Sequence, residues 1–275
     1  MTDTLKTFGV KEFTRLASSW DAHVEQIRLL GYTIVPGALA ADELAVAREK
    51  LDGIYQRQVE EVGGEARLAA INDGYTVRCP LVYDDFFLAL ATNRAVLSVV
   101  ERLLGDYFVL MLQNGLLNVP AEGNEQNAGS WHRDLNYQHF VSTRPLSISA
   151  LFCVDDFTEE NGGTSVLPAT HKAESFPSEE FVRDQSRPIE APAGSVLVFD
   201  SMLYHRGGLN RTARVRRAVN HMYTLPFIKQ QISLPQALGG RFCEDPFLAK
   251  LLGYESEPDP SVREFREKRL ARLGA

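Results

Sequence analysis

Six histidines occur in the chain: His23, His132, His139, His171, His205 and His221. An imidazole taken singly is most often a surface or hydrogen-bonded core group, so spacing decides which of them does chemistry. His132-Arg133-Asp134 sets an imidazole and a carboxylate two residues apart within the extended run Trp131 to Tyr137. Strand side chains alternate between faces, which points His132 and Asp134 one way and Arg133 the other. Such a pair can take neighbouring positions on a metal ion, although the pattern alone is common.

A third ligand is needed, and His205 is the candidate. It follows Gly194-Ser195-Val196-Leu197-Val198-Phe199-Asp200, a turn leading into an apolar strand. Two histidines and one carboxylate on one octahedral face leave three positions open, the arrangement of non-haem iron(II) oxygenases. Those positions accommodate a bidentate co-substrate and oxygen. Zinc, which prefers a closed tetrahedral set or a single open place, fits less well. Arg216 supplies a fourth element: a 2-oxo acid with a distal carboxylate needs a fixed cation at its far end, and the planar guanidinium fork suits that role. By strand parity Arg216, Ala218, Asn220 and Met222 share one face, with Arg217, Val219, His221 and Tyr223 on the other. His221 is therefore excluded from any site that Arg216 faces.

Other residues read more plainly. Arg206, Arg211, Arg214 and Arg217 read as a solvated basic turn around Arg216, with attraction of an anionic substrate as the sharper alternative. Tyr137 and His139 stand where they can face a substrate, Trp131 reads as packing beside the metal, and His171 as structural. Cys79, Cys153 and Cys243 are far apart and odd in number, with no CxxC, which argues for neither a zinc knuckle nor a disulfide framework. No GxGxxG or P-loop supports nucleotide binding.

These residues need elements to position them. Phe13, Leu16, Trp20, Val24 and Ile27 recur at helical steps. After the extended piece Gly31 to Gly37, a second amphipathic helix runs through Leu44, Ala47, Leu51, Ile54, Tyr55 and Val59 to Gly63-Gly64. Asn93 caps a third, with Gly105 just past its end. From about residue 106 the texture changes to short apolar runs bounded by Gly, Pro, Asn or Asp: 108–119, 131–137, 146–154, 164–167, 195–199 and 218–225. Many short strands after a helical opening predict a mainly β fold with flanking helices. One domain is expected over 1–275: a mostly helical part (1–105), a β core (106–228), and a C-terminal extension (229–275) with a helix after Asp259-Pro260.

The bulk numbers agree. Of 275 residues, 44% are hydrophobic and 24% charged, ordinary for a globular chain. A net charge of −7 argues against nucleic acid or an anionic membrane surface as main partner. The opening Met1-Thr2-Asp3-Thr4-Leu5-Lys6 lacks signal-peptide features, and no apolar run approaches a membrane span, so the expected location is cytoplasmic.

The ordered set of motifs resembles a known family. Trp131-His132-Arg133-Asp134-Leu135-Asn136-Tyr137 is followed by Glu160-Asn161-Gly162-Gly163-Thr164-Ser165-Val166-Leu167-Pro168-Ala169-Thr170-His171-Lys172. Then come Gly194 to Asp200 and His205-Arg206-Gly207-Gly208-Leu209-Asn210-Arg211-Thr212, ending in Arg216. Together they resemble the phytanoyl-CoA dioxygenase family of iron and 2-oxoglutarate oxygenases, over about residues 25–228. The resemblance implies a double-stranded β-helix (a cupin-like jelly roll). It further implies Fe(II) held by His132, Asp134 and His205 as the catalytic centre, with 2-oxoglutarate and O2 as co-substrates and Arg216 on the distal carboxylate. Gln113 matches a position that contacts the co-substrate in some members.

One departure is Gly207, where several relatives carry a serine that helps the arginine. Halogenating relatives have a small residue in place of Asp134, so the resemblance favours hydroxylation of a small molecule, with release of succinate and CO2, or a related desaturation or ring closure. The competing expectations are a non-catalytic metal-binding β-barrel and a metal-dependent hydrolase.

Overall fold

The computed structural model describes residues 6–122, 129–135 and 137–273. Six strands form an antiparallel sheet: β1 (Tyr32–Val35), β2 (Thr76–Arg78), β3 (Val109–Asn118), β4 (Ser147–Cys153), β7 (Val196–Asp200) and β9 (Arg216–Thr224). Their spatial order is β1-β7-β4-β9-β3-β2. A smaller sheet holds β5 (Ser165–Val166), β6 (Arg187–Pro188) and β8 (His205–Arg206) in the order β6-β5-β8. Both sheets are antiparallel throughout. The assembly is two facing sheets with flanking helices, an open jelly-roll-like layering rather than a closed barrel.

Alternation along the strands splits the large sheet into two unlike faces. Ile148, Ala150, Phe152, Val196, Val198, Val219 and Tyr223 join one apolar cluster with residues of α1 (Ser19–Leu30), α2 (Ala41–Val62) and α6 (Arg94–Leu104). Leu151, Cys153, Leu197, Phe199 and Ala218 face the other way, against Val166 of the small sheet and Phe157, Ile189 and Leu203. Because both faces are covered, every residue of β4 and β7 is buried, which is why these segments read as largely apolar runs rather than as a clean alternation. Helices therefore brace one face and leave the other for the site.

The second and third helices lie where the sequence predicts them. Asn93 accepts from the Ala95 and Val96 amides at 3.1 and 3.3 Å, an N-cap worth about 1 kcal/mol, and Gly105 ends the helix. The first helix is shorter than its periodicity implies. The Asp21 carboxylate accepts from the Ala17 and Ser18 amides at 2.9 and 2.8 Å and from Ser18 Oγ at 3.0 Å. That capping interaction starts the helix at Ser19 and leaves Phe13 and Leu16 exposed outside it.

Residues 65–91, which lack clear periodicity, hold α3 (Glu65–Ala70), β2, α4 (Pro80–Tyr83) and α5 (Phe86–Ala91). In the C-terminal extension α8 (Leu234–Leu238) and α9 (Pro246–Leu251) pack Leu234, Leu238 and Leu251 into the helical-face core. The terminal helix, α10 (Val262–Leu273), has no buried residue. Earlier in the chain, between β5 and β6, α7 (Glu179–Gln185) is a surface helix with no buried residue either.

Candidate metal centre

The segment carrying His132 and Asp134 is not a regular strand, contrary to the reading of 131–137. A single bridge joins His132 to His205, with each amide donating to the other's carbonyl at 3.0 Å. Beyond it the chain turns, for an identifiable reason. Gln138 folds its side chain back, accepting from the Arg133 amide at 2.8 Å and donating to the Arg133 and Leu135 carbonyls at 3.0 and 2.7 Å. The alternation survives locally: Arg133 points away from its neighbours and is buried. Its guanidinium donates to four backbone carbonyls, those of Gln138, Thr170, Ala173 and Glu174, and stacks on the Tyr204 ring with Cζ 4.0 Å from its centre. Asn136 lies outside the described residues.

The bridge to His205 closes the triad. One donor atom from each of His132, Asp134 and His205 lies within 4.8 Å of the others. Asp134 Oδ1 stands 3.7 Å from His132 Nε2 and 3.3 Å from His205 Nε2. Each imidazole has its other nitrogen committed to the backbone: His132 Nδ1 is 2.8 Å from the Ser130 carbonyl and His205 Nδ1 3.0 Å from the Leu203 carbonyl. A carbonyl only accepts, so both Nδ1 atoms carry hydrogen, and the Nε2 atoms converge on the carboxylate. Lone pairs aimed at one another and at an anion repel unless a positive charge lies among them. A cation held by the three groups, or protonation of an imidazole, satisfies the arrangement.

The electrostatics follow the same geometry. Hydrogen bonding to Asp134 raises the His132 imidazole above its ordinary range against the opposing effect of burial. Desolvation alone would raise the Asp134 carboxyl, but His205 charge together with hydrogen bonds from His132, His205 and Ser149 holds it well below the usual carboxylate range. The His132 side chain is 49% exposed, whereas those of Asp134 and His205 are 10% and 9% exposed. The approach from solvent is therefore past His132. A divalent first-row ion with mixed nitrogen and oxygen ligands fits this donor set.

Arg216 starts β9 on the face shared with Ala218, since β9 keeps its register against β3 and β4; the irregularity in β3 falls at Leu110/Leu112, beyond the relevant rows. The side chain is 5% exposed. It donates from Nη2 to the Gly162 carbonyl at 2.8 Å and lies 4.3 Å over the Phe157 ring, while Nε is buried without a partner. Desolvation lowers its pKa to about 10, so it remains a cation at neutral pH. Among the described residues no carboxylate pairs with it. A buried guanidinium without a counter-ion is costly, and a bound carboxylate is the group that would satisfy it.

The Glu160-Asn161-Gly162-Gly163 turn supports this arginine. Gly162 takes φ +73°, and a Cβ there would stand 2.5 Å from both Asn118 Nδ2 and the Gly208 carbonyl oxygen, so the close approach requires glycine. Gly207 is different: a Cβ there meets nothing within 4 Å.

Gln113 is not part of this face. Its partner in register is His221, and its carboxamide binds the Leu81 amide at 2.9 Å, the Phe87 carbonyl at 2.9 Å and His221 Nε2 at 2.7 Å. Parity puts Gln113 among the helices, on the side opposite Arg216. The polar residues of β3 that do share the Arg216 face are Asn114 and Asn118, paired in register with Asn220 and Arg216. Period-two counting back from Arg216 across the hairpin would have found them, had the register been known. Trp131 packs against Arg206, whose Cζ lies 5.0 Å from the ring centre. His171 is buried, its Nε2 3.2 Å from the Arg28 carbonyl, as befits a structural role. Tyr137 is exposed.

Comparison with known proteins fits the same layout. The model of the phytanoyl-CoA dioxygenase (PhyH) family matches residues 27–218. An uncharacterised protein of Mycobacterium tuberculosis, Rv1501, is 31% identical over 265 residues, covering 94% of this chain and 96% of that one. Among solved structures, the non-haem alpha-ketoglutarate-dependent epimerase SnoN from nogalamycin biosynthesis superposes with TM-score 0.58 at 20% identity, covering 76% of this chain and 84% of that one. HygX from Streptomyces hygroscopicus, solved with nickel and 2-oxoglutarate, superposes with TM-score 0.58 at 17% identity, covering 78% and 90%.

Proposed function

This chain belongs to the phytanoyl-CoA dioxygenase family, and from that premise we propose that it is an Fe(II)- and 2-oxoglutarate-dependent dioxygenase that hydroxylates a C–H bond of a small molecule. The observation that carries the reading is the convergence of His132, Asp134 and His205 donor atoms within 4.8 Å. A buried Arg216, which has no carboxylate partner among the described residues, stands on the adjoining sheet interior. A non-catalytic barrel or a hydrolase would have no use for that cation.

In this reading His132, Asp134 and His205 hold Fe(II), and Arg216 pairs with the far carboxylate of 2-oxoglutarate. The iron, with 2-oxoglutarate and O2, supplies the oxidising power, releasing succinate and CO2. The chain's own residues supply position. Gly162 and Phe157 fix the guanidinium, the backbone carbonyls of Ser130 and Leu203 fix both imidazoles, and Leu151, Phe157, Phe199 and Leu203 keep the inter-sheet space apolar. Low polarity around Arg216 strengthens its pairing with a carboxylate.

A small-molecule substrate is in keeping with the neighbours, SnoN having been solved with nogalamycin RO and HygX with hygromycin B. No helix among the described residues is long and apolar enough to cross a membrane, and a cytoplasmic location is part of the proposal.

The test is succinate formation by anaerobically purified, Fe(II)-loaded protein with 2-oxoglutarate, with and without O2, alongside titration of the visible charge-transfer band of the Fe(II)–2-oxoglutarate complex. Oxygen-dependent succinate supports the class. Absence of both succinate and band would sink it. Product mass then separates hydroxylation, which adds one oxygen atom, from epimerisation, which leaves the mass unchanged.

A further inference from the structure

The two oxygens of Asp134 have different surroundings. Oδ1 faces His132 Nε2 and His205 Nε2, whereas Oδ2 accepts from Ser149 Oγ at 2.5 Å. That separation is typical of a hydroxyl donating to an ionised carboxylate, the stronger, charge-assisted kind of hydrogen bond. Ser149 lies on the inter-sheet face of β4 with Leu151 and Cys153, and it is fully buried, as are Ser147 and Ser201. Ser149 Oγ is 2.8 Å from Ser201 Oγ, and Ser201 Oγ is 2.8 Å from Ser147 Oγ. The chain of hydroxyls is local in construction: Ser147 and Ser149 share a face by strand alternation, and Ser201 follows the last residue of β7, which pairs with Ile148 between them.

Each hydroxyl has one proton to give. A carboxylate only accepts, so the Ser149 proton goes to Asp134. Ser201 gives its proton to Ser147, so the hydrogen bond that holds Oδ2 is the one from Ser149. We infer that Ser149, set in a buried cluster with Ser147 and Ser201, fixes Asp134 as a ligand through Oδ1 alone. The inference rests on reading His132, Asp134 and His205 as the metal ligands. A carboxylate free to turn can offer both oxygens to one ion and so take two positions on it. With Oδ2 engaged by a short, buried hydrogen bond, only Oδ1 remains, and the positions needed by co-substrate and oxygen stay open. Ser149 is thus a positioning residue: it touches neither ion nor substrate, and acts through the carboxylate.

The test uses Ni(II) affinity by calorimetry and the visible spectrum of the Co(II)-loaded full chain, neither of which requires turnover. Ser149→Ala is expected to lower Ni(II) affinity roughly 10–100-fold, the usual cost of removing such a supporting hydrogen bond. It should also change the Co(II) bands, which report coordination number, and weaken their response to 2-oxoglutarate. Ser201→Ala, which leaves the Ser149 hydrogen bond to Asp134 in place, is expected to keep affinity and bands near wild type. A folded S149A with wild-type Ni(II) affinity and unchanged Co(II) bands overturns the inference while leaving the ligands standing. Should S149A not fold, wild-type affinity and bands in Ser149→Cys, whose thiol is a weak donor, overturn it equally. Wild-type protein that binds neither ion overturns the ligand assignment, and the role of Ser149 with it.

Discussion

Arg216 and Asn118, opposite one another across β9 and β3, donate to a single atom, the carbonyl oxygen of Gly162, at 2.8 and 3.1 Å. The glycine turn is thereby the anchor of the cation, and the anchor can be stressed. Gly162→Ala forces a side chain into a positive-φ position against Asn118 and the Gly208 carbonyl, with about 1–3 kcal/mol of backbone strain before any clash is counted. A lower melting temperature and a raised KM for 2-oxoglutarate are expected together. A G162A protein with unchanged KM would separate the turn from the co-substrate.

Arg216→Lys keeps the charge but loses the planar fork. The expected result is a KM for 2-oxoglutarate raised about tenfold or more, the loss of one charge-assisted hydrogen bond, with metal affinity little changed. A wild-type KM in steady-state succinate assays would remove Arg216 from its proposed role.

Gly207→Ser should be tolerated, since a Cβ there meets nothing within 4 Å and its φ is not in the left-handed range. The family resemblance, in which several members carry serine here, implies that this variant matches wild-type stability and binds 2-oxoglutarate more tightly. Weaker binding in the charge-transfer titration would show that the hydroxyl has no partner there.

Arg133 bears no contact with the candidate ion, yet it ties the His132–Asp134 segment to the 170–174 stretch through four carbonyls. Replacing it by Met leaves those acceptors unmatched in a buried place, a change expected to cost about 3–5 kcal/mol. Denaturant unfolding of R133M measures it. A loss below 1 kcal/mol, the size of an ordinary surface change, would mean that water replaces the guanidinium at no cost.

Two buried histidines set the response to acid. Burial, with the nearby charge of Lys172, pushes His171 down to about 4, and burial pushes His221 down to about 3. Between pH 6.5 and those values the unfolded chain binds protons that the native one refuses, so stability falls as pH falls. Asp200 works in the opposite sense: burial raises its carboxyl to about 6, and the native state holds a proton there that the unfolded chain has released. Two groups against one give a net loss on the order of a few kcal/mol below about pH 6. His221→Gln should flatten this acid limb in melting temperatures taken from pH 7.5 to 4.5. An unchanged slope would assign the limb to other groups.

The sequence by itself determined the local and the periodic. Helical spacing with Asn93 and Gly105 at its ends bounded α6, apolar runs located β3, β4, β7 and β9, and two-residue alternation placed Arg216 opposite His221. Motif order pointed to the triad, because ligand type and spacing follow from metal chemistry before any fold is known.

Tertiary structure alone decided what depends on register between distant segments. It moved Gln113 to the helical face and brought Asn118 beside Arg216 at the Gly162 carbonyl, since a shift of one residue exchanges the two faces of a strand. It turned the segment at 131–135 from a strand into a bridge and a turn, because the Gln138 side chain outcompetes a ladder of backbone bonds there. The serine behind Asp134 was likewise beyond reach of the chain alone. Serines are ordinary in any strand, and only the fold brings Ser149 to the carboxylate and gathers Ser147 and Ser201 beside it.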